Sequence, residues 1–182
     1  MLHTFIVYVE NKPGVLSRVV SLFRRRAFNI DSLTVGRTEK PEVSRMTIVV
    51  DADQDQARRI VANVYKLVNV LLVDDVTSQS AITRDLALIK VEATPESRSH
   101  VLELANVFRA RVIDVAHDSL TIEITGTEDK IDSLLEVLRP LGLIEVVRTG
   151  QVAMRRGTKT TAAPAKESVA VVPDDDNVSY SV

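Results

Sequence analysis

The feature that most constrains the fold is an order of predicted elements that occurs twice along the chain. An apolar strand from Thr4 to Val9 leads into a helix, two strands, a second helix and a last strand that ends at Val73. The same order begins again at Leu86 and ends at Val147. A βαββαβ order folds as an antiparallel sheet with both helices on one face. The sequence therefore predicts an α+β protein with two ferredoxin-like units.

Helical spacing of apolar residues predicts the buried face of each helix. In the first unit, Asp53 is predicted to cap the second helix, and strands are predicted at Phe28–Thr38, Val43–Val50 and Val68–Val73. The inward positions of its two helices are Val15, Leu16, Val19, Val20, Leu22 and Phe23, then Ala57, Ile60, Val61 and Val64. In the second unit the inward positions are Val101, Leu104, Ala105 and Phe108, then Ile131, Leu134, Leu135 and Leu138.

Internal similarity supports a duplication. The stretch "VENKPGVLSRV" from Val9 aligns with "VEATPESRSHV" from Val91, and a gapped echo follows in "LFRRRAFNID" and "VFRARVIDV". We therefore divide the chain into an N-terminal domain at 1–78, a C-terminal domain at 79–157 and a tail at 158–182. The tail is rich in Thr, Ala, Pro and Ser, so it is predicted to be flexible, with its acidic run Asp174–Asp176 simply solvated.

Composition and motifs exclude several classes of protein. There are no cysteines, the net charge is −2, and no apolar run approaches the ~20 residues of a membrane span, so we expect a cytoplasmic protein. No nucleotide-binding loop, zinc motif or nucleophile elbow is present, and His3, His100 and His117 lie in different elements. An RNA-binding βαββαβ module needs aromatic residues on its central strands, whereas "VSRMTIVV" and "NIDSLTVG" contain none.

The first strand–helix connection, "NKPGVLSRV", has an unusual concentration of turn residues. Pro13 suits the first helical position, and Gly14 lets another group approach the backbone closely. The unpaired N–H groups of the first turn, from Gly14, Val15 and Leu16, could hold one carboxylate. The Asn11 amide oxygen could accept from an ammonium group. Together these groups describe a site for a free apolar amino acid.

A well-capped helix without a ligand would explain the same spacing, and the spacing alone leaves both interpretations open. The second copy favours a ligand, because Ala93 and Glu96 replace Asn11 and Gly14 there while the strand–helix connection persists. Asn29-Ile30, at the start of the next strand, again places an amide beside an aliphatic group.

The chain resembles the small, regulatory subunit of acetolactate synthase, whose first domain is an ACT domain. The resemblance rests on "VENKPGVLSRVVSLFRRRAFNIDSLTVG", "SRMTIVV", "KLVNVLLVDDV", "IEITGTEDKIDSLLEVL" and "GLIEVVRTG", and runs from about Leu2 to Gly157. It implies a regulator with no active site or cofactor of its own. The catalytic large subunit would carry thiamine diphosphate, Mg²⁺ and FAD and would condense 2-oxo acids in branched-chain amino acid biosynthesis.

The resemblance also implies a homodimer through the ACT domains, with valine, and in some members leucine or isoleucine, bound between two chains as a feedback inhibitor. The effector residues it implies are Asn11, Gly14, Val15, Leu16, Asn29 and Ile30. We further expect the surface from Thr34 to Arg45 to contact the catalytic subunit. Two alternatives are a double-ACT regulator of another partner and an enzyme on a ferredoxin-like scaffold.

Overall fold

A computed structural model describes residues 1–157, so the predicted tail at 158–182 lies outside the described residues. The N-terminal unit contains β1 (Leu2–Glu10), α1 (Val15–Arg25), β2 (Ile30–Arg37), β3 (Val43–Asp51), α2 (Gln54–Val64) and β4 (Val70–Asp75). The C-terminal unit contains β5 (Ala81–Glu92), α3 (Arg98–Val107), β6 (Arg111–Val115), β7 (Ser119–Gly126), α4 (Glu128–Leu138), β8 (Leu143–Arg148) and β9 (Val152–Arg155).

Each unit has the predicted ferredoxin-like sheet. The strand orders are β2-β3-β1-β4 and β6-β7-β5-β8, and every pairing is antiparallel. One face of each sheet packs against its two helices in a separate apolar core. The edge strands are β2 and β4 in the first sheet, and β6 and β8 in the second. The predicted fold class is therefore confirmed.

The helix faces agree with prediction except at two positions of α1. Val15, Val19, Leu22 and Phe23 are buried, whereas Leu16 is 42% exposed and Val20 is 37% exposed. Each of these two follows a buried residue by one position, and a helix turns by about 100° per residue, so both point away from the sheet. The prediction that Leu16 and Val20 belong to the core was wrong.

The N-cap of α2 is confirmed as a reciprocal capping box. The Gln56 N–H donates to Asp53 Oδ1 at 2.7 Å, and the Asp53 N–H donates to Gln56 Oε1 at 2.9 Å. These bonds satisfy backbone donors that the first turn leaves without helical partners.

Equivalent backbone details confirm the duplication. The Asn11 N–H donates to the Glu42 carbonyl at 2.7 Å, and the Ala93 N–H donates to the Asp118 carbonyl at 2.8 Å. Both first strands shift register against the last strand of their unit, between Tyr8 and Val9 and between Lys90 and Val91. Asn11 and Ala93, and the two register shifts, share the offset that aligns Val9 with Val91, while the acceptors Glu42 and Asp118 lie in the equivalent turns before β3 and β7.

The same offset matches the ends of α1 and α3. Ala27 and Arg109 both have positive φ, 56° and 53°, just after their helices. Phe108 therefore corresponds to Arg26, and Phe23 corresponds to Ala105. The gapped echo, which aligned Phe23 with Phe108, was wrong because the helices match without a gap.

Strand β9 was not predicted, and it joins the two units. It pairs with the first residues of β5, Ala81–Arg84, and Ala153 packs with Ile6 and Val76 on the helix-free face of the first sheet. We call residues 149–155 the clamp segment. The clamp segment makes several hydrogen bonds to the first sheet. The Gln151 N–H donates to Ser32 Oγ at 2.9 Å, and Thr34 Oγ1 donates to the Gln151 carbonyl at 3.0 Å. Thr4 Oγ1 donates to Gln151 Oε1 at 3.1 Å, and Arg45 donates to the Ala153 carbonyl.

The clamp segment takes up the two ends of the stretch Thr34–Arg45, whose middle stays largely exposed. That this stretch contacts the catalytic subunit remains a prediction. The side chains at both ends of this stretch are engaged by the clamp segment, and Arg45 also lies 5.7 Å from the centroid of the Tyr8 ring. Farther along, Arg155 forms a bidentate ion pair with Asp74, which is 8% exposed. The two units are therefore held together on the helix-free face by these polar contacts and by the apolar cluster of Ala153, Ile6 and Val76.

Candidate functional site

The β1–α1 loop has the backbone geometry that an approaching ligand requires. Gly14 is the N-cap of α1 with φ of 80°, and a Cβ added there would meet no atom within 4 Å. Asn11 is exposed and fixed in place, because its Nδ2 donates to the Pro41 carbonyl at 2.9 Å. That bond engages the amide nitrogen, so Oδ1 is the side-chain atom of Asn11 that can accept a hydrogen bond from a ligand. The loop therefore has free space next to Gly14, and its Asn11 side chain is held by a hydrogen bond.

The first turn of α1 offers backbone donors. Val15 N–H makes a long bond of 3.4 Å to the Lys12 carbonyl, whereas the N–H groups of Gly14, Leu16 and Ser17 have no acceptor within residues 1–157. The positive end of the helix dipole adds to their preference for an anion. This end of α1 can hold one carboxylate.

The predicted effector residues differ in what their side chains can reach. Val15 is 3% exposed and belongs to the core, so its contribution would be through its backbone. Leu16 is exposed beside the loop, and its side chain can contact a ligand there. Asn29 is exposed and Ile30 is partly buried against the first core.

Strand register shows that one chain does not bring all six residues together. Ile30 pairs with Val50, and Val50 pairs with His3 near the start of β1. The Asn11 loop follows Glu10 at the other end of β1, which is roughly 23 Å away at ~3.3 Å per residue. A free amino acid is far shorter than this. Asn11 and Asn29 of the same chain therefore cannot contact one effector molecule.

In the second copy, the equivalent loop is closed by its own side chain. Arg98 corresponds to Leu16, and its Nη2 donates to the carbonyls of Ala93 at 3.1 Å and Ala116 at 2.8 Å. Its guanidinium thus ties the loop to the β6–β7 turn, and Glu96 replaces the open glycine. The open glycine of the first loop therefore has no counterpart in the second, and the location of a ligand in the first copy stays a prediction.

A separate polar cavity of about 370 Å³ lies between the two units. It is lined by Asp31, Ser32, Glu128 and Arg148 among others, and by none of the six predicted effector residues. Burial raises the pKa of the Glu128 carboxyl, and the charges of Asp132 and Asp31 raise it further. The cavity is therefore distinct from the α1 site.

No group of three or more His, Asp or Glu side chains in residues 1–157 is arranged to hold a metal ion. His3 is buried, with Nδ1 3.3 Å from Thr77 Oγ1, while His100 and His117 are exposed. Within the same residues, no helix has the length and apolar character to cross a bilayer.

Sequence reasoning missed the polar residues that connect the units. Ser32, Thr34 and Gln151 form the bonds between β2 and the clamp segment. The one sequence signal that could have indicated them is that Ser32 and Thr34 occupy alternate positions of β2 and so share one face of the strand.

Two family models match the chain, one in each unit. The model described as the AHAS small subunit-like ACT domain matches residues 5–72. The model described as the small subunit of acetolactate synthase matches residues 84–157.

Relatives and a solved structure agree with these matches. A probable acetolactate synthase small subunit from Archaeoglobus fulgidus is 51% identical over 159 residues, covering 87% of this chain and 99% of the relative. The acetolactate synthase small subunit of Mycolicibacterium smegmatis is 47% identical over 161 residues, covering 88% and 95%. The crystal structure of the small subunit from Thermotoga maritima has a TM-score of 0.81 at 38% identity and covers 87% of this chain and 99% of its own.

Proposed function

The chain belongs to the family of acetolactate synthase small subunits, and from this premise we propose that it activates the catalytic subunit and makes that enzyme sensitive to valine. Thiamine diphosphate, Mg²⁺ and FAD are assigned to the catalytic subunit, and none to this chain. The observation that carries the valine assignment is the open N-terminus of α1, where free N–H groups and Asn11 Oδ1 lie beside the exposed Leu16.

Two chains complete the effector site when their β2 edges pair about a two-fold axis. Antiparallel pairing of β2 with its own copy puts Ile30 of one chain opposite Arg37 of the other. Arg37 pairs with Ser44, which pairs with Val9, so this is the end of the sheet that carries the Asn11 loop. The loop of one chain therefore meets Asn29-Ile30 of its partner.

The neighbouring helix supports the same pairing. In a right-handed crossover from β1 to β2, α1 lies on the β2 side of its domain. Leu16 and Val20 each follow a buried residue of α1 by one position, so their side chains are turned from the sheet toward the β2 edge, where they are exposed. An unpaired edge strand beside exposed apolar residues favours association with a second copy.

Each part of valine has a partner in this arrangement. The carboxylate accepts from the N–H groups of Leu16 and Ser17, and the ammonium group donates to Asn11 Oδ1. The isopropyl group packs against Leu16 of one chain and Ile30 of the other, and Asn29 supplies a polar contact across the interface. Leucine and isoleucine carry the same two charged groups and differ only at the apolar end.

Reconstitution tests the function. The pure chain, supplied with pyruvate, thiamine diphosphate, Mg²⁺ and FAD, should form no acetolactate. Adding the chain to its cognate catalytic subunit should raise turnover above that of the catalytic subunit alone, and valine should then lower it. Thiamine-dependent acetolactate formation by the chain alone, or an unchanged rate in the mixture, would contradict the proposal.

A further inference from the structure

The helix-bearing face of the first unit carries a surplus of positive charge. Residues 15–27 and 53–67, which form α1, α2 and their ends, contain seven Arg and Lys side chains and two acidic ones, although the whole chain has a net charge of −2. The matching residues of the second unit, 97–109 and 127–141, contain four basic and five acidic side chains. The surplus therefore belongs to the first unit alone, and the shared fold does not require it.

A surface groove of about 440 Å³ lies among these cations, between the C-terminal parts of α1 and α2. The residues that line it are Leu22, Arg25, Arg26, Asn63, Lys66 and Leu67. The Arg26 guanidinium donates to Asn63 Oδ1 at 3.2 Å across the groove. Within residues 1–157, the exposed side chains of Arg24, Arg25, Arg26 and Lys66 form no ion pair with a carboxylate. The groove thus combines two leucine side chains with cations that have no anionic partner in the described part of the chain.

The dipole of α1 accounts for only part of this charge. Cations in the last turn of a helix stabilise its negative end, and Arg24 and Arg25 lie in the last turn of α1. Helix α3 forms at the matching position with no basic residue in its last turn. Lys66 belongs to the turn after α2 and lines the same groove. Cations from two separate elements therefore converge on one groove, which the dipole of α1 does not explain.

The tail of the chain has the complementary chemistry. Its acidic run Asp174–Asp176 follows Pro173 and the apolar run Val169–Val172. From this complementarity we infer that the tail segment 169–176 binds the groove of its own chain. The three carboxylates then lie against the guanidinium and ammonium groups, and the valine side chains lie against the two leucines. The sequence alone predicts a solvated acidic run, and the groove supplies a partner for it.

The tail is long enough, and starts close enough, to reach the groove. It follows Arg155, which pairs with Asp74 on β4. Leu67 is seven residues before Asp74, so their Cα atoms are at most about 25 Å apart. A segment of the length of 158–173 spans ~20–24 Å as a flexible coil and up to about 55 Å when extended. Attachment to the same chain also raises the local concentration of the acidic run at the groove, so each contact can be weak.

Cross-linking within the full-length chain tests the inference, because the chain has no cysteine of its own. Asn177→Cys places one thiol next to the acidic run, and Ala62→Cys places another on the exposed surface of α2 beside the groove. A short bis-maleimide should join these two cysteines within one chain about tenfold more than it joins Asn177→Cys to Glu136→Cys. Glu136 is the matched control, because it is exposed on α4 at the position that corresponds to Ala62 when the N-caps of α2 and α4 are aligned.

Salt and charge-swap variants test whether electrostatic attraction holds the contact. An ionic strength of 1 M shortens the screening length to about 3 Å and should reduce the cross-link to Ala62→Cys to the control level. Reversal of the acidic run should do the same, and it leaves residues 1–157 unchanged, so the groove keeps its fold. Reversal of the groove as well should restore the cross-link. The tail substitutions are Asp174→Lys, Asp175→Lys and Asp176→Lys, and the groove substitutions are Arg25→Glu, Arg26→Glu and Lys66→Glu.

Three results would overturn the inference. The first is equal cross-linking of the groove and control pairs, or a cross-link that neither salt nor charge reversal changes. The second is cross-linked product between two chains only, which would assign the tail to the groove of a neighbouring copy. The third is protection of Ala62→Cys from maleimide only when the catalytic subunit is present, with no tail cross-link in the free chain, which would assign the groove to that partner.

Discussion

Gly14→Asp and Asn29→Ala should each abolish or strongly weaken valine inhibition of the reconstituted enzyme while both variants still activate the catalytic subunit. Gly14→Asp puts a carboxylate at the N-terminus of α1, where it competes with the carboxylate of valine for the same N–H groups. Asn29→Ala removes the polar contact from the partner chain. Allosteric coupling is typically worth about 1–3 kcal/mol, so the loss of one charge-assisted contact can erase it.

Both variants are expected to fold. Asp tolerates a left-handed backbone better than most residues, and its Cβ would meet no atom within 4 Å at position 14. Asn29 is exposed. Valine titrations of the acetolactate rate are the measurement, and Glu96→Ala in the second copy is the control. If Gly14→Asp remained fully sensitive while Glu96→Ala did not, the site would have been placed in the wrong repeat.

Gly150→Ala should open the clamp segment and reduce the free energy of unfolding by about 2–4 kcal/mol, combining left-handed strain with lost hydrogen bonds. Gly150 has φ of 85°, and an added Cβ would lie 2.6 Å from Ser32 Oγ and 3.3 Å from Thr34 Oγ1. These are the hydroxyl groups that bond to Gln151, so the methyl group would push the clamp segment away from β2.

Gly14→Ala is the matched control, because Gly14 has a similar φ of 80° but open space around it. It should cost only about 1–2 kcal/mol, the strain of a left-handed residue with a side chain. Urea unfolding of both full-length variants measures the difference. Equal losses would show that the contacts of Gln151 with Ser32 and Thr34 contribute nothing measurable.

The fold was predictable because each element has a strong local pattern. Alternating or continuous apolar strands, two helical stripes per unit and the Asp53 capping box all depend on residues close together in the sequence. Periodicity was less able to distinguish a core residue from one at an interface. Leu16 and Val20 are apolar and lie next to buried residues of α1, so the sequence pattern places them in the core. In the structure their side chains lie outside the core.

The clamp segment could not be predicted for a different reason. Strand β9 has four residues and no clear alternation, and it is stabilised by partners more than 65 residues away, such as Ala81 and Arg45. The α1 half of the candidate site was visible in "NKPG", because its chemistry is local. The other half, Asn29-Ile30, belongs to another chain in our proposal, and its relevance came from family resemblance.

The central claim is that each valine site takes its α1 loop from one chain and Asn29 from the other. Mixed dimers of differently tagged chains test this, with Gly14→Asp in one chain and Asn29→Ala in its partner. One site of such a dimer would contain both substitutions, and the other would contain neither. Reconstituted with the catalytic subunit, the mixed dimer should regain part of the valine inhibition that both homodimers lack. No recovery in a mixed dimer of confirmed composition would contradict the claim, because a site formed within one chain would leave both copies damaged.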